Sequence, residues 1–188
     1  MKAAVFVDVQ NDFVKGGKLA FGYPVEDNVP KVIEFAKECA AAGCKIYVTR
    51  DTHEATVRRD TGGMSGYLAT LEGRRLPVEH CVEGTDGWQV VDGLADVLVG
   101  KATFVNKPTF GSLDLADIME EDGGFDEITV CGYDLSICVA ANAVLLRAKF
   151  PDARITVRTD LCGDVDKEAF DAAVKVLRMQ QIDVEGIH

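Results

Sequence analysis

The sequence has little positive charge and no long apolar run. Its 20 lysine and arginine residues are outnumbered by 31 aspartate and glutamate residues, which gives a formal net charge of −11. Such a chain repels a polyanionic backbone, so we expect no nucleic-acid partner. No basic amphipathic stretch suggests a membrane surface. The apolar run at residues 3–7 is too short for a signal peptide or a membrane span. We therefore predict a cytoplasmic protein.

Paired cysteines and interdomain linkers are also absent. The six cysteines form no C-x-x-C pair, and in a reducing compartment they are expected to be free thiols, mostly buried as small apolar side chains. The sequence contains no repeat and no low-complexity tract. Its 188 residues, 47% of them hydrophobic, suit one compact core. We predict a single domain over residues 1–188.

Short β-rich runs alternate with helical patterns along the whole chain. Several of the runs are continuously apolar, which is typical of strands buried on both faces. The alternation predicts right-handed crossovers and a mostly parallel six-stranded sheet in a three-layer α/β/α fold of the Rossmann type. The glycine-rich segment 54–66 is expected to be a mobile surface loop. The predicted strands are 3–9, 45–49, 103–106, 127–132, 154–158 and 182–185, and the predicted helices are 28–43, 89–98, 112–121, 136–149 and 167–181.

Reactive side chains follow four successive predicted strands. Asp8 comes at the end of the first strand, Asp51 and His53 follow the second, Lys107 follows the third, and Cys138 opens the helix after the fourth. Ligands of open parallel sheets bind beyond the carboxyl ends of the strands. The sequence therefore predicts that these groups meet at one edge of the sheet.

Cys138 is the predicted nucleophile of this edge. A free thiol has a pKa of about 8.5 and needs activation at neutral pH. The N-terminal turn of the following helix and the ammonium of Lys107 supply positive charge, and Asp8 can take the thiol proton and return it to a leaving amine. Lys101 is a rival for the role of the lysine, but it precedes the strand and is expected to be solvated.

Asp51, His53 and His80 have the side chains of a metal site. Asp51 and His53 stand two residues apart beyond a strand, and His80 is a natural third ligand. The only other histidine, His188, is terminal. Mixed nitrogen and oxygen ligands favour Zn²⁺, and Mn²⁺ or Fe²⁺ would also fit.

Five segments resemble, in order, the motifs of the isochorismatase-like cysteine hydrolases, and among them most closely those of nicotinamidases and pyrazinamidases. The match covers nearly the whole chain, and five motifs in register are specific where one alone is weak. The segments are VDVQNDF at 7–13, TRDTH at 49–53, LPVEHC at 76–81, Lys107 with the FGS of 110–112, and GYDLSICV at 132–139.

The resemblance implies a catalytic triad of Asp8, Lys107 and Cys138. It also implies a non-proline cis peptide bond between Tyr133 and Asp134, which would direct the backbone N–H groups of Asp134 and Cys138 at the developing oxyanion. The implied reaction is hydrolysis of a small aryl carboxamide, first of all nicotinamide, to the acid and ammonia through a thioester.

The resemblance also implies contacts to the substrate from Phe13, Leu19 and Tyr133. Nicotinamidases often have a tryptophan where this chain has Pro77, and Trp88 or Tyr67 could take its place.

For the metal, Arg59 stands where the family often has a further histidine. Glu72 is the expected replacement, because some relatives use a glutamate, and Asp60 is the fallback.

Three other functions stay open at this point. The same triad could act on an N-carbamoyl or ureido compound or on an isochorismate-like substrate, or the chain could be a non-catalytic binding member of the family. Members of this fold often self-associate, so a homo-oligomer is a further expectation.

Overall fold

The computed structural model describes residues 1–24, 27–60, 62–76 and 78–186. Six of the described strands form one sheet, in which every neighbouring pair is parallel. Two short strands, β3 and β4, form a separate antiparallel hairpin. In chain order the strands are β1 (Lys2–Val7), β2 (Lys45–Asp51), β3 (Val57–Arg58), β4 (Met64–Ser65), β5 (Ala102–Lys107), β6 (Glu127–Gly132), β7 (Arg154–Cys162) and β8 (Asp183–Glu185).

The helices cover both faces of this sheet. The described α-helices are α1 (Val29–Ala41), α2 (Leu71–Arg75), α3 (Asp92–Leu98), α4 (Leu113–Glu121), α5 (Ala140–Lys149) and α6 (Lys167–Met179). The strand order is β5–β2–β1–β6–β7–β8. With right-handed crossovers, this order puts α1 and α3 on one face and α4, α5 and α6 on the other. The helix contacts agree, because α1 packs on α3 while α5 packs on α4 and α6. The predicted three-layer α/β/α fold is confirmed.

The centre of the sheet is the hydrophobic core. Residues 3–7 of β1 are all buried, and successive side chains of a strand point to opposite faces. Both faces of β1 are therefore covered. Gly132, at the end of β6, has a φ of +126°, and a Cβ there would lie 2.0 Å from the carbonyl oxygen of Val7. Only glycine allows the ends of β1 and β6 to approach this closely.

Five of the six predicted strands have different bounds in the structure. β2 extends to Asp51 instead of residue 49, β5 covers Ala102–Lys107 instead of 103–106, and β8 begins at Asp183 instead of residue 182. β1 ends at Val7 rather than at residue 9, because Asp8 has a φ of +51° and leaves the extended conformation. β7 continues to Cys162 instead of stopping at residue 158, and its pairing with β6 shifts register between Val130 and Gly132.

Three other segments also differ from the sequence prediction. The helix predicted from residue 89 begins at Asp92, because Val90 forms an isolated bridge with Gln10. The helix predicted from residue 136 starts as a π-helical turn, Leu135–Val139. The segment 54–66, predicted to be a loop, contains the β3–β4 hairpin, of which Thr61 lies outside the described residues.

Within the described ranges, no helix has both the length and the apolar character needed to cross a lipid bilayer.

Candidate functional site

The site lies where the strand order of the sheet reverses. The chain leaves β1 towards β2 on one side and leaves β6 towards β7 on the other. Helices at such a switch point diverge to opposite faces and leave a crevice beyond the carboxyl ends of the two strands. Asp8 follows β1 at this crevice, and the segment that carries Cys138 follows β6. Asp51 and Lys107 are the last residues of β2 and β5, which lie on the same side of the switch point.

Asp8, Lys107 and Cys138 form a buried group that we call the thiol cluster. The Nζ of Lys107 lies 2.6 Å from Oδ2 of Asp8 and 3.5 Å from Sγ of Cys138. It also donates to the carbonyl oxygen of Thr109. The Oγ1 of Thr49 donates to Oδ1 of Asp8 at 2.6 Å. Asp8 is 0% exposed, Lys107 1% and Cys138 6%. The three side chains are therefore almost completely shielded from solvent.

Burial sets the proton affinities of this cluster. It raises the pKa of the Cys138 thiol well above its usual range, although Lys107 opposes the shift. It also raises the pKa of Asp8, again against the effect of Lys107. Burial alone would lower the pKa of Lys107, but the negative charge of Asp8, and after it that of Asp51, outweighs this effect and the pKa is raised. The free cluster is therefore a thiol, a carboxylate and an ammonium group, with the carboxylate more basic than an exposed aspartate.

Asn142 ties the segment of Cys138 to the loop after Lys107. Its amide donates to the carbonyl oxygens of Cys138 and Phe110, and its Oδ1 accepts the N–H of Ser112. Sequence reasoning missed this residue. It stands four residues after Cys138, the spacing of neighbours on one helix face, and that spacing was the available signal.

Asp51, His53, Glu72 and His80 form a second group beside the thiol cluster, which we call the ligand group. One ligand atom from each lies within 4.8 Å of the others. Oδ2 of Asp51 is 2.9 Å from Nε2 of His53 and 3.1 Å from Nε2 of His80. Oε1 of Glu72 is 3.6 Å and 3.7 Å from the same two nitrogens. Glu72 is therefore the fourth member of the group.

The spacing of the ligand group fits a tetrahedral cation. Ligand atoms about 2.0–2.1 Å from a zinc ion are separated from each other by roughly 3.4 Å, close to the distances found here. Nδ1 of His80 lies 2.8 Å from the carbonyl oxygen of Val78. A proton on Nδ1 directs the lone pair of Nε2 into the group, as in protein metal sites. The negative charge of Asp51 is further balanced by Lys107, 3.8 Å away.

Gln10 and Tyr67 support the ligand group. Sequence reasoning did not assign this role to Gln10, and it named Tyr67 only as one of two replacements for the tryptophan of nicotinamidases. The side-chain amide of Gln10 accepts the N–H of Asp51 and donates to its carbonyl oxygen, which fixes the end of β2. The ring of Tyr67 lies 4.7 Å from that of His53 and 5.1 Å from that of His80. Tyr67 therefore forms an aromatic wall of the group, and its hydroxyl donates to a backbone carbonyl.

The three residues predicted to contact the substrate differ in their distance from the ligand group and in their burial. The buried ring of Phe13 meets that of His80 edge-on at 5.6 Å, so it borders the ligand group. Leu19 is partly buried against the core. Tyr133 is fully buried, its ring stacks on that of Phe21, and its hydroxyl donates to Oδ1 of Asn28. Its side chain is therefore committed to the interior and leaves only its main chain for a ligand.

The rival residues lie away from the two groups. Lys101 is exposed before β5, and Arg59 and Asp60 are exposed in the hairpin segment. Asp60 is not among the four residues whose ligand atoms come together in the described part of the chain. Trp88 donates to Thr52 and stacks under Arg50. Pro77 and His188 lie outside the described residues.

The peptide bond between Tyr133 and Asp134 is cis, as the resemblance implied. Asp134 stands directly before the π-helical turn that holds Cys138. Its carbonyl oxygen accepts the N–H groups of Ile137 and Val139, which closes this turn around the thiol.

Relatives of the chain are found both by sequence and by structure. The nicotinamidase of Saccharomyces cerevisiae is 28% identical over 176 residues, which cover 77% of this chain and 80% of the relative. The pyrazinamidase of Pyrococcus horikoshii, solved in complex with zinc, superposes with a TM-score of 0.77 at 23% identity and covers 99% of both chains. The nicotinamidase/pyrazinamidase of Bacillus subtilis has a TM-score of 0.79 at 20% identity, with 97% of this chain and 98% of that chain covered.

These two solved structures share the fold of this chain. The family is established by a direct match, since the model of the isochorismatase domain fits residues 2–186. As its five motifs predicted, the chain belongs to the isochorismatase domain family.

Proposed function

We propose that the chain is a cysteine amidohydrolase that cleaves the carboxamide of a small aryl substrate, with nicotinamide as the first candidate. The observation that carries the proposal is the thiol cluster, in which one lysine nitrogen lies 2.6 Å from the Asp8 carboxylate and 3.5 Å from the Cys138 sulfur. A nucleophile, a base and an orienting cation within contact distance are what acyl transfer requires. The nicotinamidase and pyrazinamidases similar to this chain support the choice of substrate.

The first half of the reaction forms a thioester. Asp8 takes the proton of the Cys138 thiol, and the thiolate attacks the carboxamide carbon. Lys107 stays protonated and stabilises the thiolate across 3.5 Å. The backbone N–H groups of Asp134 and Cys138 donate hydrogen bonds to the developing oxyanion. Asp8 then returns its proton to the amide nitrogen, the carbon–nitrogen bond breaks, and ammonia leaves.

The second half releases the acid. With ammonia gone, Asp8 is again a carboxylate and takes a proton from a water molecule, whose oxygen attacks the thioester carbon. The tetrahedral oxyanion uses the same two N–H groups. When the carbon–sulfur bond breaks, the proton returns to Cys138, so the cluster is restored and one water has been consumed.

The ligand group would hold a divalent ion, with zinc first and manganese or iron as alternatives. When bound, the ion supplies a Lewis-acidic binding point for a lone pair of the substrate, such as a ring nitrogen. Phe13 packs beside His80 at this point and would flank an aromatic ring, with Leu19 as a further apolar contact. The fixed side chains of Asp51 and His80 thereby orient the amide towards Cys138.

The cellular setting belongs to the same proposal. The net charge of −11 disfavours nucleic acid and anionic membranes as partners, and a small-molecule amide fits a buried site. We place this single domain, residues 1–188, in the cytoplasm, with self-association through its apolar helix surfaces as an additional expectation.

A panel of small amides, scored for ammonia release, tests the proposed function. Purified protein loaded with Zn²⁺, Mn²⁺ or Fe²⁺ is expected to release ammonia from nicotinamide with a kcat/KM of about 10⁴ M⁻¹s⁻¹ or more, as is common for enzymes on their own substrates. If only ureido compounds are turned over, they replace aryl carboxamides as the proposed substrate class. Inactivity on every amide with every ion would indicate a binding member of the family.

Metal content provides a second prediction. The protein is expected to contain about one divalent ion per chain, and His80→Ala is expected to lower the metal affinity by more than about 100-fold, because losing even an outer partner of a metal ligand costs 10–100-fold. Elemental analysis after dialysis measures this directly. His188→Ala, which changes the histidine outside the motifs, is the matched control. Equal metal content in His80→Ala and wild type would contradict the assignment of the ligand group.

A further inference from the structure

The C-terminal end of α1 brings together two cysteines that the proposed reaction does not use. Cys39 lies in the last turn of the helix, and Cys44 directly precedes β2. Between them Gly43 has a φ of +71°, which turns the chain back onto the helix. The N–H of Cys44 donates to the carbonyl oxygen of Cys39 at 3.0 Å, and the N–H of Gly43 donates to that of Ala40 at 3.3 Å. These two bonds form a Schellman motif, in which the side chains at the positions of Cys39 and Cys44 pack on each other.

The main-chain bond between the two cysteines sets a distance that a disulfide can span. Its length of 3.0 Å, together with standard covalent geometry, limits the separation of the two Cα atoms to about 6.9 Å. Disulfides join Cα atoms about 4.4–6.8 Å apart, and any bend in the hydrogen bond brings the pair inside this range. The motif therefore holds Cys39 and Cys44 at a separation suited to a covalent bond between their sulfur atoms.

The two thiols are in contact and differ in their exposure. Burial raises the pKa of Cys39 to about 12, and the charge of Cys44 and a hydrogen bond with its thiol add to the shift. Cys39 is buried, whereas Cys44 is partly exposed and the other five cysteines are all buried. The pair therefore combines an accessible thiol, which a dissolved reagent can reach, with a shielded thiol that only its neighbour can reach.

Two further cysteines lie close to this pair but are inaccessible. Cys131, in β6, is within electrostatic reach of both Cys39 and Cys162. Cys131 and Cys162 are fully buried, and the thiol of Cys162 lies 3.2 Å from the carbonyl oxygen of Arg158, to which it donates. A dissolved oxidant cannot contact either sulfur in the folded protein, so the reactive pair consists of Cys39 and Cys44.

We propose that Cys39 and Cys44 are a thiol–disulfide exchange site, which a small-molecule disulfide R–S–S–R, such as oxidised glutathione, converts into an intramolecular disulfide. The thiolate of Cys44 attacks one sulfur of R–S–S–R, and the first R–S⁻ leaves and takes up the proton of Cys44. The thiolate of Cys39 then attacks the Cys44 sulfur, and the second R–S⁻ leaves with the proton of Cys39. Two protein thiols lose two electrons, and R–S–S–R is reduced to two R–SH. This site is separate from the thiol cluster and does not depend on the proposed function.

Folding and the disulfide should stabilise each other. In the unfolded chain the bond must close a loop at a cost in chain entropy, whereas the Schellman motif has already closed that loop in the folded protein. Half-oxidation of the folded protein is therefore expected at a ratio of oxidised to reduced glutathione about tenfold or more below the ratio that the urea-unfolded chain requires. By the same linkage, the disulfide should raise the melting temperature by about 4–8 °C.

Mass spectrometry after alkylation and trypsin digestion tests the proposal, because one tryptic peptide, residues 38–45, contains both cysteines. In wild-type protein equilibrated with oxidised glutathione, this peptide should lack two hydrogen atoms and resist alkylation. Cys39→Ala should retain glutathione as a mixed disulfide on Cys44, since the resolving thiol is gone. Cys131→Ala is the matched control and should form the same disulfide as wild type.

Three results would overturn the proposal. In the first, both cysteines of the folded wild type stay open to alkylation at every glutathione ratio. In the second, the folded protein needs the same ratio as the unfolded chain, or a higher one, for half-oxidation. In the third, Cys39 is found bonded to Cys131, or Cys39→Ala carries no glutathione on Cys44. The measurement requires no turnover, so inactivity of the protein on every amide would remove the proposed function and leave this test intact.

Discussion

Cys138→Ala is expected to lower the kcat/KM for ammonia release from nicotinamide by at least about 10⁴-fold, because loss of an attacking nucleophile removes the covalent route altogether. Alanine fills most of the volume of a buried cysteine, so the fold is expected to persist. The metal content should be unchanged, since Cys138 is not part of the ligand group. Ammonia release at saturating metal, measured beside elemental analysis, checks both statements.

Cys44→Ala is the matched control for this experiment. Cys44 is also a free thiol and is partly buried, but it lies before β2 at the opposite end of the sheet from the site. Its replacement is expected to leave ammonia release unchanged. Activity of Cys138→Ala within tenfold of wild type would exclude a thioester mechanism, because no other described cysteine contacts Lys107.

A thiol-alkylation assay adds a second readout to the same pair of proteins. Burial raises the pKa of Cys138, so the unliganded protein should react slowly at this position at neutral pH, because the thiolate is the reactive form. In the proposed mechanism, Asp8 generates that thiolate when substrate is in place. This explains why a cysteine that is 6% exposed can be both inert towards solvent and reactive towards an amide.

The sequence predicted the thiol cluster because each of its residues stands at or beyond the carboxyl end of a parallel strand. Asp8 follows β1, Lys107 is the last residue of β5, and Cys138 lies in the turn after β6. The carboxyl ends of parallel strands share one edge. The hydrogen-bonded pairing of neighbouring strands fixes where each strand ends. Side-chain packing therefore adds little to this placement. The same reasoning located Asp51 and His53. It failed on the length of β1, because the left-handed conformation of Asp8 depends on contacts with Thr49.

Short and irregular segments were beyond sequence reasoning. The helix α2 carries Glu72 but has five residues, fewer than two turns, so no hydrophobic periodicity can reveal it. Tyr67 precedes α2 in a 3₁₀ turn and meets both histidines only through the folding of this segment. The π-helical turn Leu135–Val139 has the composition of an α-helix. The turn follows the close approach of Gly132 to Val7, a contact between distant parts of the chain.

The side chain of Asp134, whose Oδ1 is buried without a hydrogen-bond partner in the described part of the chain, illustrates a different limit. Sequence alone identified its backbone N–H through the resemblance, because the motif fixes the main chain. The fate of the side chain depends on which partners the neighbouring loops supply, and Ser136 directs its hydroxyl to Asp164 instead.

Asp8→Asn is expected to lower kcat by about 10²–10⁴-fold, the usual contribution of a general base. Asparagine has the same shape and can still accept the hydrogen bond from Thr49, but it cannot take a proton from Cys138. The change also leaves Lys107 as a buried charge without its main counterion, and breaking such a pair typically costs 3–5 kcal/mol of stability. Thermal unfolding measures this loss separately from the rate.

The pH profile distinguishes the proton acceptor from a merely structural carboxylate. The base must be ionised to act. The value of kcat/KM is therefore at its maximum above the pKa of Asp8 and decreases as the pH falls below that pKa. Because burial raises that pKa, the acid limb should lie above the range of an ordinary aspartate. Asp8→Asn should lose this limb from its residual activity. Asp12→Asn removes another buried carboxylate, which accepts the N–H of Cys81, and should destabilise the protein but keep the limb. An unchanged acid limb in Asp8→Asn would assign the proton transfer to another group.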